Sequence, residues 1–187
     1  YTKEKFFGWF LELKNKNVIC CKSISQLSKS KRNILITCNI GEIIPEEVFK
    51  KFYIAINIHP GSYEYPGRDP HHWASYEKSR YYGATAHIIE KKVDSGKILD
   101  HELSEVNPHS PPSEYHFVAN KCARTLSRRL INNIERKNLS FKKVKWKRKS
   151  KKRIDLIKMC NFKDLNNEER ERRMIAFEGF EKYFIFN

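Results

Sequence analysis

The sequence predicts an α/β domain whose sheet is mostly parallel and flanked by helices. Three observations carry that prediction. Short continuous apolar runs of the kind buried on both faces of a parallel sheet recur at Val18-Ile19-Cys20-Cys21, Asn33-Ile34-Leu35-Ile36-Thr37-Cys38 and Ile54-Ala55-Ile56-Asn57-Ile58. Segments with helical spacing alternate with these runs, the pattern of right-handed strand-helix-strand crossovers. The chain has 187 residues and is 40% hydrophobic, which suffices for one domain with a proper core.

Taken in order, residues 3–14 place Phe6, Phe7, Phe10 and Leu13 on one side of an amphipathic helix. A domain of this class ordinarily begins with a strand, so a first strand is expected to be missing from the chain. After the second apolar run, Pro45-Glu46-Glu47 opens a short helix: proline suits its first turn and the two acids suit the positive end of its dipole. Ile43, Ile44, Val48 and Phe49 are its expected anchors. Asp69-Pro70 starts another helix, with Asp69 as N-cap and Trp73 and Tyr76 turned inward. Thr85–Ile89 and Lys97–Leu99 read as two strands flanking an Asp94-Ser95-Gly96 turn. A long helix follows from about Ser113 to Arg136, with Phe117, Cys122, Leu126, Leu130, Ile131 and Ile134 on its apolar side. Glu168 to Phe177 reads as a charged helix, and Phe180, Tyr183, Phe184 and Phe186 crowd the end. These divisions predict a catalytic domain over residues 1–136 and a short basic extension, 137–187, packed on it.

Composition excludes several classes. No apolar run approaches bilayer length, and Tyr1-Thr2-Lys3-Glu4-Lys5 lacks the layout of a secretion signal, which predicts a cytoplasmic protein with no membrane partner. Five cysteines without C-x-x-C spacing support neither a disulfide framework nor a zinc knuckle. The net charge of +15 is local: residues 136–153 hold eleven Lys or Arg and no acid, and without them the remainder carries +4. A solvated face is the first reading of that run, a patch meeting a phosphate-bearing substrate the second, and dedicated nucleic-acid binding the third.

The chemistry-bearing residues cluster between Ile54 and Leu99. Asn57 and His59, two apart at the carboxyl end of a buried strand, point to one side, where open α/β sheets bind ligands. An imidazole can take the proton of an attacking amine, and asparagine offers an N–H to an oxyanion. Asp94 can orient or charge the imidazole. On local grounds Asn57 also reads as a turn former bonding its own backbone, and Asp94 as an ordinary turn residue. His71-His72 invites a metal reading, but neighbours on a helix diverge by about 100° and no metal site is predicted. His87 reads as packed mid-strand; His101, His109 and His116 carry no pattern.

Asn57-x-His59-Pro60, Gly67-x-x-Pro70-x-x-Trp73, Gly83-Ala84-Thr85-Ala86-His87 and Val93-Asp94-Ser95-Gly96-Lys97-Ile98-Leu99 closely resemble, in order and spacing over residues 33–100, the folate-dependent formyltransferases. That resemblance implies a Rossmann-like formyltransferase domain that moves the formyl group of N10-formyltetrahydrofolate to a primary amine, without a metal. It implies that Asn57, His59 and Asp94 are catalytic: imidazole and amide hold the tetrahedral oxyanion, and the aspartate assists proton transfer. It places the pterin against Asn39, Ile40, Gly41, Glu42, Ile43 and Ile44, and against Glu90, Lys91, Lys92 and Val93. Relatives acting on tRNA carry a β-barrel domain for which the roughly 50 residues after the long helix are too few. Glu169–Phe177 instead resembles the Arg-Arg-x-x-Ala-Phe tail of the sugar N-formyltransferases. The expected acceptor is therefore a nucleotide-linked amino sugar, with glycinamide ribonucleotide or methionyl-tRNA as alternatives. An idle formyltransferase fold that binds RNA is the non-enzymatic alternative. The phenylalanine-rich end is expected on its own core, with a homodimer contact as the alternative.

Overall fold

The computed structural model describes residues 23–28 and 33–186. The helix expected over residues 3–14 and the strand expected at Val18–Cys21 lie outside the described residues. The elements are α1 (Ile24–Ser28), β1 (Ile34–Cys38), α2 (Glu46–Phe49), β2 (Ile54–His59), α3 (Pro70–Tyr76), β3 (Tyr81–Ile88), β4 (Ile98–Glu105), α4 (Pro112–Glu135), α5 (Arg153–Met159) and α6 (Asn167–Ala176), followed by a 3₁₀ turn at Glu181–Tyr183. The four described strands form one sheet in the order β1-β2-β3-β4.

That sheet is mixed. β1 and β2 pair in parallel, with Thr37 opposite Asn57, as their apolar runs and the intervening α2 predict. β3 runs antiparallel to β2, and β4 antiparallel to β3. The mostly parallel expectation therefore holds for β1 and β2 only among the described strands. The β3–β4 link, residues 89–97, is a short loop that can join antiparallel strands, whereas a parallel crossover takes about a dozen residues or more.

One face of the sheet carries Ile56, Ile58, Ala84, Ala86 and Leu99, packed against Cys122, Ala123, Leu126, Leu130 and Ile131 of α4. The alanines admit the helix close to the strands, and each fully buried leucine contributes about 2 kcal/mol through the apolar surface it removes from water. Phe117, expected on that apolar side, is 63% exposed, because α4 presents its buried stripe through Tyr115, Ala119 and Cys122 instead. A second cluster joins α3, α4, α5 and α6 through Trp73, Tyr82, Tyr115, Leu156, Phe177 and Phe180. A third gathers α1, β1 and α2 around Leu27, Leu35, Ile44, Val48 and Phe49. Ile43, expected as an anchor of α2, is instead 72% exposed.

Asp69 occupies the N-cap position of α3 without acting as a side-chain cap: its φ is 55° and no cap hydrogen bond forms. Its carboxylate is held by Arg153, whose Nε and Nη2 donate at 2.9 and 2.6 Å. Asn166 does cap α6, accepting from the Glu169 amide at 2.9 Å. Among the described residues no helix is long and apolar enough to cross a membrane.

Candidate active site

The end of β2 delivers two polar side chains to the face opposite α4. Asn57 does not bond its own backbone, as a turn former would. It lies within the strand, where its Oδ1 accepts from the Thr37 hydroxyl at 2.8 Å and its Nδ2 lies 3.2 Å from His87 Nε2. The register puts these three residues in one row, Thr37 opposite Asn57 and Asn57 opposite His87. His59 is 5% exposed. Its Nε2–H donates to the Tyr65 carbonyl at 3.0 Å, and its Nδ1 lies 3.3 Å from Asp94 Oδ2. Gly61 packs so tightly on this ring that a Cβ there would meet His59 Nε2 at 2.3 Å.

Asp94 reaches the same point from the β3–β4 turn. Its φ is 46°, a left-handed conformation that aspartate tolerates better than most residues. Three groups meet its carboxylate: His59 at Oδ2, the Gly67 amide donating to Oδ2 at 2.7 Å, and His87 Nε2 at 3.1 Å from Oδ1. Burial alone raises the acid's pKa, but the two imidazoles and the amide outweigh it and hold the carboxyl at about 2. The structure thus brings together Asn57, His59 and Asp94, joined through His87 and a charged carboxylate.

His87 and Trp146 are the two members of this cluster that the sequence reading missed. His87 is 2% exposed, and its Nδ1–H donates to the Ile88 carbonyl at 2.8 Å, leaving Nε2 for Asn57 and Asp94. Its i, i+2 relation to Thr85, across from His59, was the available signal, since strand partners face one side together. Trp146 stands edge-on to both imidazoles, with ring centroids 5.9 Å from His59 and 5.1 Å from His87. Its indole N–H donates to the Gly96 carbonyl, just after Asp94, at 2.9 Å. A lone tryptophan inside a lysine run gives no such address.

The basic run reaches the site through main chain. Lys151 donates to the Pro66 carbonyl at 2.9 Å and accepts from the Arg68 amide at 2.8 Å, flanking the Gly67 whose amide holds Asp94. Four of the run's eleven cations also pair with acids: Lys142 meets Asp100, Lys147 meets Glu64, Arg148 meets Glu77 and Arg153 meets Asp69. This is the solvated-face reading with an added duty, that of strapping the site loops.

The two loops proposed from sequence for a pterin lie side by side. Lys91 Nζ is 3.9 Å from Glu46 Oε2 just after the first loop, and Arg68 donates to the Gly41 carbonyl at 3.2 Å. Ile43 and Val93 stand exposed at 72% and 39%. His71 and His72 pack ring to ring at 4.3 Å, and His72 Nδ1–H donates to the Ala176 carbonyl. Among the described residues no group of three or more His, Cys, Asp or Glu side chains is placed to hold a metal ion.

Asn57 and His59 of β2, His87 of β3 and Asp94 of the following loop bring together an amide, two imidazoles and a charged carboxylate, groups of the kind that acyl transfer uses. The formyl transferase family model matches residues 12–134, and the chain belongs to that family. The structure resembles a 4-N formyltransferase from Francisella tularensis with a TM-score of 0.67 and 21% identity, covering 92% of this chain and 72% of that one. It resembles a sugar N-formyltransferase from a Shewanella species with a TM-score of 0.68 and 17% identity, covering 89% and 69%. An N-formyltransferase from Helicobacter canadensis, solved with folinic acid and dTDP-3-aminofucose, matches with a TM-score of 0.64 and 18% identity over 83% and 58%. A search of curated proteins finds no match.

Proposed function

We propose that this chain transfers the formyl group of N10-formyltetrahydrofolate to the primary amine of a nucleotide-linked amino sugar. The observation that carries the reading is the convergence of Asn57, His59 and Asp94 on one point, with the carboxylate ionised between two imidazoles. Exposed Ile43 and Val93 offer apolar surface to a flat pterin, and the main chain of Asn39–Ile44 and Glu90–Val93 offers it hydrogen bonds. When bound, the folate supplies an activated formyl carbon.

The chain's own groups then do the following. Asn57 Nδ2 has two N–H donors, and only one is turned to His87, so the other is available to an oxyanion. A protonated His59 donates Nδ1–H to Asp94 and adds positive charge beside the same oxygen. As its ring stands, both nitrogens face protein groups, so His59 acts through its charge, and the proton of the attacking amine leaves by Asp94. Trp146 shields the imidazoles, which strengthens each of these interactions.

The acceptor assignment draws support from the resemblance to a sugar N-formyltransferase and to an N-formyltransferase solved with dTDP-3-aminofucose, and from the basic strap. Lys143, Lys145 and Lys149 make no ion pair among the described residues and can meet a diphosphate. A panel of amines tested with N10-formyltetrahydrofolate decides between acceptors. Turnover with a nucleotide-linked amino sugar is expected, at a kcat/KM at least about 100-fold above glycinamide ribonucleotide or methionyl-tRNA, a preference of nearly 3 kcal/mol. A preference for either of those two overturns the sugar assignment while leaving formyl transfer standing.

A further inference from the structure

The proton inventory of the site gives His87 a task. Each imidazole commits one N–H to a main-chain oxygen: His59 Nε2 to Tyr65 at 3.0 Å and His87 Nδ1 to Ile88 at 2.8 Å. When neutral, each ring therefore turns a lone pair toward Asp94, at His59 Nδ1 and at His87 Nε2. A carboxylate facing two lone pairs is repelled by both, so the first proton taken up beside it serves to bind the array together. With His59 holding that proton, His87 Nε2 is still vacant and accepts an N–H of Asn57 at 3.2 Å. The array thus has one more proton position than it needs to hold itself together.

We propose that His87 is a positioning residue for the transfer: acting through Asp94 and Asn57, it receives the proton released by the attacking amine while His59 keeps its own. The proposal rests on the formyl-transfer reading above. The amine nitrogen bonds to the formyl carbon, and the carbonyl electron pair moves to oxygen. The ammonium proton of that intermediate passes to Asp94, and Asp94 Oδ1 hands a proton to His87 Nε2 across 3.1 Å. Protonation of Nε2 removes the acceptor of the Asn57 N–H, releasing a second donor while the oxyanion carries its charge. The carbonyl then re-forms as the bond from carbon to N10 breaks, and N10 takes the proton back through the same carboxylate. No proton is gained or lost overall, and no oxidant is required. The groups facing His87 are Asn57 on β2, Asp94 on the turn with His59 behind it, and the uncharged Trp146 ring from the strap.

The test is His87→Gln, which keeps a hydrogen-bonding group near Nε2 but cannot take up a proton. Expected are a fall in kcat of at least about tenfold, an acceptor KM within about threefold of wild type, and loss of one inflection from the pH dependence of kcat. A kcat within twofold of wild type with an unchanged pH profile overturns the proposal. Should the variant fold poorly, imidazole nitrogen NMR of the wild-type protein answers the same question. The expected result is a His87 Nε2 that bears a proton during turnover. A His87 Nε2 that stays unprotonated throughout the active pH range overturns the proposal. A wild-type protein that formylates no amine defeats the functional reading instead, while the NMR titration still reports on His87.

Discussion

Asp94 is a buried carboxylate held by two imidazoles and the Gly67 amide. Its carboxyl stands at about 2 against an ordinary value of 3.8, so the folded state binds its proton less readily than the unfolded chain does. Stability from this group is fully present above about pH 4 and is lost as the pH falls toward 2. The difference amounts to about 2 kcal/mol. Urea unfolding at pH 5 and at pH 2.5 should show that loss in the wild type, and a smaller loss in Asp94→Asn. Equal losses would mean that the imidazoles do not hold the carboxylate. Asn57, His59 and Asp94 were legible in the sequence because their order and spacing match a family pattern. His87 was not, because a histidine among aliphatic residues looks like packing until the pairing register sets it beside Asn57.

Among the elements, the strap over residues 142–153 changes meaning most between sequence and structure. As a string it reads as charge; in the fold its backbone bonds to Pro66 and Arg68 decide where the Gly67 amide points. Gly67 has a φ of 103°, and a Cβ there would lie 2.2 Å from the Lys151 carbonyl oxygen. Gly67→Ala should therefore push the strap off the loop, release the Asp94 hydrogen bond and cost at least about 2 kcal/mol in a thermal or denaturant melt. Activity should fall more than stability accounts for. A variant with wild-type melting and turnover would show that the strap does not hold the site. No composition rule could have found this contact, because it joins backbone groups more than 80 residues apart. The tail motif also acquires a physical role. Arg172 lies 4.2 Å over the Tyr76 ring and donates to the Tyr76 carbonyl, and Phe177 stacks on Tyr76 at 5.6 Å. The tail thereby clamps the C-terminal end of α3.

At the scale of the whole molecule, two packings divide the labour. The sheet and α4 form a floor from aliphatic residues, and the aromatic cluster extends it through Tyr82 and Tyr115 to α3, α5, α6 and Tyr65 of the loop before α3. Periodicity made the floor readable in advance. The aromatic cluster was not, since its members lie between residues 65 and 180 and only tertiary packing joins them. The division explains why a mixed sheet serves: β3 must turn back antiparallel to place His87 beside Asn57 and to carry the chain to Asp94 within a few residues. The most direct test is the release of tetrahydrofolate from N10-formyltetrahydrofolate in the presence of an amine acceptor, comparing wild type with Asn57→Ala and Asp94→Asn. The expected result is stoichiometric formylation of the amine by the wild type and a rate at least about 100-fold lower in each variant. Formylation at equal rates in all three proteins would contradict the assignment of the reaction to this site.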